Sequence, residues 1–311
     1  MATQSFSRMA PWHLLGAGSL GCLYAAYLRR AGCDLHLLLR DALSLDLLQC
    51  NGGIRLQQDG KEQTISIAAE SATAISKPIQ NLLVCTKAQQ TLNAIRAIKP
   101  HLVSQPIIVL LQNGMGVREL LAREVPDAIF LHAISTEGAY QTQRFNVVHA
   151  GHGNTVLGAI DLSQQEIAQQ VAESLRCELS IDIVDDIEKR LWLKLAVNSV
   201  INPLTALHRC RNGELLLLSN IDSTITNLCA EFVAVANADR QNLTLEQCRA
   251  AVYDVINATA QNRSSMLQDR LAKRSTEIDF INGFIVQRAK QHEVVCTHHA
   301  ALIAAVKTPQ P

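Results

Sequence analysis

Near its start the chain runs Trp12-His13-Leu14-Leu15-Gly16-Ala17-Gly18-Ser19-Leu20-Gly21 and continues as an apolar stretch to Arg29-Arg30. A short apolar strand, a glycine-spaced turn and a helix in direct succession constrain the fold more than any other feature of the sequence. Gly16 permits the tight turn out of the strand, Gly18 lets the backbone approach a pyrophosphate, and Gly21 lets the helix pack on the strand. The first N–H groups of the helix then point at the phosphates. Ala17, Ser19 and Leu20 complete the loop and stand with the three glycines as cofactor-binding candidates. A tight turn without a ligand is the alternative. A second strand over Asp34–Leu39, at the right distance, favours the dinucleotide.

The rest of the first half keeps the same rhythm. Apolar runs at 81–86 and 106–111 end in the polar residues Lys87 and Gln112-Asn113-Gly114. Strand-like and helix-like stretches in alternation predict a doubly wound parallel sheet. After about residue 185 the strand-like runs vanish and long helical spacings replace them, with helices expected at about 186–202, 221–237, 245–262 and 276–291. The first of these is expected to stop at Pro203, because proline disfavours helix at the residue before it. A chain of 311 residues suits two domains. The expected division is residues 1–185, an α/β dinucleotide-binding domain with a short N-terminal arm (Met1–Ala10), and residues 186–311, an all-helical substrate domain.

Charge and cysteine content exclude several classes of function. Lys plus Arg and Asp plus Glu are 28 each, so no global field recruits nucleic acid or an anionic membrane. No run approaches the ~18 apolar residues of a membrane helix, and the first ten residues lack the layout of a secretory signal. The nine cysteines form no C-x-x-C pair and mostly sit in apolar runs, which reads as reduced thiols in a cytoplasmic protein. A small molecule is the expected partner.

Three further groups carry chemistry. Arg40 ends the second strand, where a carboxylate would bind the ribose hydroxyls of NAD; a guanidinium instead suits the 2′-phosphate of NADPH. Asp41 as a ribose ligand and Arg40 as a solvated charge stay open. Lys194, Asn198 and Asn202 are spaced by four and line one helical face, with three apolar residues on each side of Lys194. Such a lysine either snorkels to water or faces a polar cleft, where desolvation lowers its pKa and makes it a proton donor. Thr276 and Asp279 read as a capping box that sets Glu277 in the first helical turn, where its plain role is a favourable charge at the helix start. His149 and His152 have ligand spacing, but no third ligand is near in sequence, and no metal is expected.

Together with Thr86-Lys87-Ala88, Gln112-Asn113-Gly114-Met115-Gly116, Lys194-Leu195-Ala196-Val197-Asn198, Asn202-Pro203-Leu204-Thr205-Ala206, Asn212-Gly213-Glu214-Leu215, Ser264-Ser265-Met266-Leu267-Gln268-Asp269 and Thr276-Glu277-Ile278-Asp279, the glycine loop resembles the ketopantoate reductase family, the 2-dehydropantoate 2-reductases. The likeness runs over nearly the whole chain. It implies a Rossmann domain, a helical domain, an active site in the cleft between them, and NADPH-dependent reduction of ketopantoate to (R)-pantoate in pantothenate synthesis. It also implies Lys194 as the catalytic lysine and Glu277 as the acid that fixes substrate and cofactor. Asn113 would touch both ligands, Lys87 and Arg40 the cofactor, and Asn198, Asn202, Asn212, Asn262 and Ser265 the substrate. Relatives of this type are monomers or homodimers. A reductase of another 2-keto acid or dicarbonyl, and an NADPH-binding sensor without turnover, are the alternatives. The N-terminal arm and Thr136-Glu137-Gly138-Ala139 depart from the family pattern, and Glu137 is given no role.

Overall fold

The computed structural model describes residues 10–308, so residues 1–9 of the expected arm and the final three residues lie outside the described part. The chain divides into two compact units. The first runs to Gln112 and resumes over Arg118–Ile187; the second comprises Asn113–Val117 and everything from Glu188.

In the first unit, β1 (Trp12–Leu15) is fully buried and leads into α1 (Ser19–Arg30). It is followed by β2 (Leu35–Leu39), α2 (Ala42–Cys50), β3 (Ile54–Gln58), β4 (Lys61–Ile65) and β5 (Ala68–Ser71). Next come β6 (Ile79–Val84), α3 (Ala88–Ile98), β7 (Leu102–Leu110), α4 (Val117–Glu124) and β8 (Ile129–Ser135). The unit ends with β9 (Gly138–Gln143), β10 (Asn146–Gly151), β11 (Thr155–Gly158), α5 (Gln165–Ser174) and β12 (Ile181–Ile183).

Eight strands form one sheet in the order β12-β11-β8-β7-β6-β1-β2-β5. From β5 to β8 all neighbours are parallel, and the order reverses between β1 and β6, the switch point at which doubly wound sheets bind ligands. Pro106 lies inside β7, where it cannot donate to the ladder. The β6–β7 register skips there, from Ile79↔Leu102 to Asn81↔Ile107.

Sequence reading did not anticipate a second, four-stranded sheet in the order β4-β3-β10-β9. Its inward residues Ile54, Leu56 and Val147, with Phe145 of the β9–β10 turn, share one core with α1 and the large sheet. That explains why every residue of α1 from Gly21 to Leu28 is buried. An isolated amphipathic helix covers one face only, whereas a helix covered from two sides is apolar all round.

Among the described residues the second unit is helical. It holds α6 (Ile187–His208), α7 (Ile221–Ala238), α8 (Leu245–Ala258), α9 (Ser265–Leu271), α10 (Ile278–Gln291) and α11 (Thr297–Lys307). Trp192 on α6 centres the core, with Phe232 and Phe284 each packed edge-on at 5.8 Å.

Helix α6 corrects one expectation: it runs through Pro203 to His208 instead of stopping there. Proline removes the bond to the carbonyl four residues back and costs a helix interior about 3 kcal/mol. That carbonyl, on Ser199, instead accepts from the Asn282 side chain of α10 at 2.8 Å. Asn282 in turn meets Nδ1 of the buried His299, whose Nε2 lies 3.0 Å from the Leu228 carbonyl. Burial holds His299 neutral by lowering its pKa to about 4.

Candidate active site

The loop after β1 is shaped by contacts within its own backbone. Gly16 has φ +109, and a β-carbon there would stand 2.6 Å from the Thr86 nitrogen; one on Gly21 would overlap the Gly16 carbonyl oxygen. Neither position admits a side chain. Gly18 differs, since nothing among the described residues lies within 4 Å of the space its β-carbon would fill, and it is the uncapped N-cap of α1. Open space beside bare helix N–H groups suits an anion, and a pyrophosphate fits there. Gln141 of β9 fixes the loop by donating to the Ala17 carbonyl at 3.0 Å, and no sequence signal marks that residue.

At the neighbouring strand ends, Thr91 Oγ1 lies 2.8 Å from Thr86 Oγ1 and 3.0 Å from the Lys87 carbonyl, and it accepts from Gln112 at 2.9 Å. This chain of bonds sets Lys87 as the extended N-cap of α3. At the end of β2, Arg40 is 82% exposed and its Nε donates to Asp41 at 2.9 Å. Asp41 caps α2 by accepting from the Ser44 amide at 2.8 Å, and bonds from Ser44 and Arg40 hold its carboxyl down at about 2. The carboxylate that stood as an alternative ribose ligand thus serves the helix start. A second guanidinium missed by sequence reading, Arg144, donates to Ser44 Oγ at 2.6 Å. The end of β2 therefore carries two cations.

The second unit gathers the expected catalytic side chains. Lys194, Asn198 and Asn202 lie on the unbroken α6, the first two partly buried and Asn202 6% exposed. Their neighbours Trp192, Leu195, Ala196 and Val200 are core residues, so the polar row borders a dry interior. Burial pushes the Lys194 ammonium down to about 8, while the carboxylate of Glu277 acts to raise it. Glu277 is 7% exposed, and its Oε2 accepts from Asn113 Nδ2 at 3.5 Å. Asn113 belongs with this unit because residues 113–117 cross into it, with the Met115 amide donating to the Phe280 carbonyl at 2.8 Å. Nothing in the sequence marks residues 113–117 as part of the second unit.

The capping box at Thr276 is a second correction. Glu277 is itself the N-cap of α10, without a side-chain cap bond, and precedes the first helical turn. Its carboxylate instead accepts from Asn113 and acts on Lys194.

Around Asn212 the site is braced by backbone. The Asn212 amide donates to the Asn262 carbonyl at 3.0 Å, and its Nδ2 donates to Thr259 at 2.8 Å, while its buried Oδ1 meets no donor among the described residues. Ser264 caps α9 through the Leu267 amide at 3.1 Å and bonds Thr205 at 2.7 Å, which leaves Ser265 exposed beside it in the first turn. Asn262 is also exposed.

His149 and His152, set aside as a pair without a third ligand, stand with Glu137, whose Oε2 lies 2.7 Å from His149 Nε2. The β9–β10 hairpin brings the carboxylate across, and spacing alone did not reveal it.

No helix among the described residues is long and apolar enough to cross a membrane. Residues 12–161 match the family described as ketopantoate reductase PanE/ApbA, and residues 186–310 its C-terminal family. The chain is 35% identical over 306 residues to a 2-dehydropantoate 2-reductase of Vibrio cholerae, covering 95% of this chain and 96% of that one. It is 34% identical to a 2-dehydropantoate 2-reductase of Escherichia coli O157:H7, with 94% and 93% covered. Among solved structures, a PanE/ApbA family ketopantoate reductase from Ralstonia eutropha superposes with TM-score 0.85 at 23% identity, covering 96% of this chain and 97% of that one. D-mandelate dehydrogenase with NADH and anilino(oxo)acetate superposes with TM-score 0.89 at 22% identity over the same shares, a likeness of fold. With both family regions matched in order and curated relatives above 30% identity along almost the whole length, this chain belongs to the ketopantoate reductase family of oxidoreductases.

Proposed function

We propose that the protein reduces 2-dehydropantoate to (R)-pantoate with NADPH, a step of pantothenate and coenzyme A biosynthesis, acting in the cytoplasm as a monomer or homodimer. The observation that carries this reading is Lys194, its pKa brought to about 8 by burial in a polar row with Glu277 nearby. A lysine poised near neutrality is charged enough to stabilise developing negative charge and acidic enough to give up a proton.

NADPH, when bound, supplies a hydride to C2 of the keto acid. Lys194 Nζ stabilises the carbonyl oxygen as it gains negative charge and then transfers a proton to it, so the carbonyl gains one hydride and one proton. Glu277 favours the charged ammonium and accepts a hydrogen bond from the substrate hydroxyl. Asn198, Asn202, Asn262 and Ser265 supply neutral donors for the carboxylate, and the unpaired Oδ1 of Asn212 supplies an acceptor. Asn113 would touch substrate and cofactor. In the cofactor-binding part, assigned to residues 1–185, the loop Gly16–Gly21 takes the pyrophosphate, with Lys87 as a further contact. The cations Arg40 and Arg144 favour the 2′-phosphate, and with it NADPH over NADH. Residues 186–311 form the substrate part.

The test is ketopantoate-dependent loss of NADPH absorbance, measured beside NADH and beside Lys194→Ala. Rapid NADPH oxidation that vanishes in the variant supports the proposal; tight NADPH binding without turnover on ketopantoate removes it. Reduction of another 2-keto acid is the second reading, since D-mandelate dehydrogenase shares the fold. Higher kcat/KM on a different 2-keto acid would establish it.

A further inference from the structure

We propose that Glu137, His149 and His152 form a site for a divalent transition-metal ion of the zinc class, separate from the nicotinamide chemistry. One ligand atom from each residue lies within 4.8 Å of the others. Two imidazoles and a carboxylate are the donor set that zinc, nickel and cobalt prefer, whereas calcium and magnesium require mostly oxygen.

The site is built before any ion arrives. The side chains of His149 and Glu137 are 0% and 2% exposed. His149 Nδ1 lies 2.8 Å from the Tyr27 hydroxyl, which turns Nε2 toward Glu137 Oε2. A histidine held by its far nitrogen, with the near one aimed at other ligands, has the outer-shell support of metal-binding imidazoles. The Gly153 amide donates to the same Glu137 oxygen at 3.0 Å. The two ligand-bearing segments are clamped through backbone, with the Thr136 amide donating to the Asn154 carbonyl and the Asn154 amide to Thr136 Oγ1, both at 2.9 Å.

Strand register completes the geometry. Gly151 pairs with Gly138 at the end of the β9–β10 hairpin, which brings the flanking residues Glu137 and His152 to the same end of the two strands. The His152 ring meets the His149 ring edge-on at 4.3 Å, and its side chain is 62% exposed. Its Nε2 lies 3.9 Å from Asp59 Oδ1 on the β3–β4 turn. Two ligands are thus buried and the third faces water, which gives the ion an entry path and leaves a fourth position for a water molecule.

Binding requires one exchange. The ion takes the Nε2 lone pair in place of the contact to Oε2, and the ring's proton then sits on Nδ1, where the Tyr27 hydroxyl oxygen accepts it. The 2.7 Å contact opens to about 3.3 Å, the separation of two tetrahedral ligands at about 2.0–2.1 Å from zinc. Because Tyr27 sits on α1, about 13 Å along the helix from Gly18, the ion would tie the β9–β10 hairpin to the helix that starts at the glycine loop.

The experiment uses the full chain, competing Zn²⁺ away from a chromogenic chelator and recording the visible spectrum with Co²⁺. Expected are one Zn²⁺ per chain, a Co²⁺ spectrum of nitrogen and oxygen ligands, and thermal stabilisation by Zn²⁺. His152→Ala, at an exposed position where folding is undisturbed, should weaken Zn²⁺ binding at least about tenfold, and Tyr27→Phe should weaken it by about 10–100-fold. Equal Zn²⁺ affinity in the wild type and His152→Ala, or a Co²⁺ spectrum dominated by thiolate charge transfer from the cysteines, overturns the proposal.

Discussion

The loop after β1 carries no charged side chain and works through backbone: its two crowded glycines sit against other main-chain atoms, and its third faces open space. The polar row on α6 instead presents side chains whose properties come from what surrounds them, with Trp192, Leu195 and Val200 buried alongside and Glu277 nearby. A backbone site is specified where it is written, by residues that lack a side chain. A side-chain site is specified by burial and field, which arrive from residues far along the chain. The first therefore tolerates almost no substitution at Gly16 and Gly21, and the second is tuned by its neighbours.

The largest expected effect tests the α6 row. Lys194→Ala should lower kcat by about 10²–10⁴-fold while NADPH binding and circular dichroism stay at wild-type values. Retained turnover would place the chemistry elsewhere.

Next in size is the contrast within the glycine loop. Gly21→Ala puts a β-carbon into the Gly16 carbonyl and should cost about 3 kcal/mol or more of stability, read from denaturant unfolding. Gly18→Ala meets no atom within 4 Å. Its unfolding midpoint should match the wild type while its NADPH Kd rises, and a joint loss of stability would break the distinction between crowded and open glycines.

A smaller effect belongs to the end of β2. Arg40→Ala should raise the KM for NADPH about tenfold and leave that for NADH unchanged, as befits one exposed charge-assisted contact. Equal changes for both cofactors would remove Arg40 from 2′-phosphate recognition.

The smallest is a shift in pH dependence. As the proposed proton donor, Lys194 would act only in its charged form, so reduction should fall as pH rises through about 8. Glu277 raises that value, so Glu277→Gln should move the alkaline limb to lower pH by a fraction of a unit to about one unit. A limb that stays in place would mean that Lys194 does not feel this carboxylate.

How much was legible differs between the regions for the same reason. β1, α1 and β2 fall close to where glycine spacing and apolar runs place them, because turn geometry and alternation act over a few residues. The four-stranded sheet was not legible, since its strands come from 54–65 and 138–151 and pair across the sequence. Nor was the passage of α6 through Pro203, which depends on Asn282 reaching Ser199 from 83 residues away. Thr276 looked like a cap by spacing, yet the backbone at Glu277 places the helix start one residue later. Glu137 carried no signal until the hairpin set it against His149.

The sequence by itself determined the strand–glycine–helix entry, the alternation that makes a parallel sheet, the shift to helices near residue 185 and the alignment of Lys194 with Asn198 and Asn202. These depend on residue type and on periods of two to four positions. Tertiary structure alone decided which carboxylate stands by Lys194, how far its pKa falls, which side chain replaces the bond lost at Pro203, and which third ligand joins His149 and His152. Those outcomes depend on distances between segments far apart in sequence and on the water that packing removes, and neither is encoded within any local stretch of the chain.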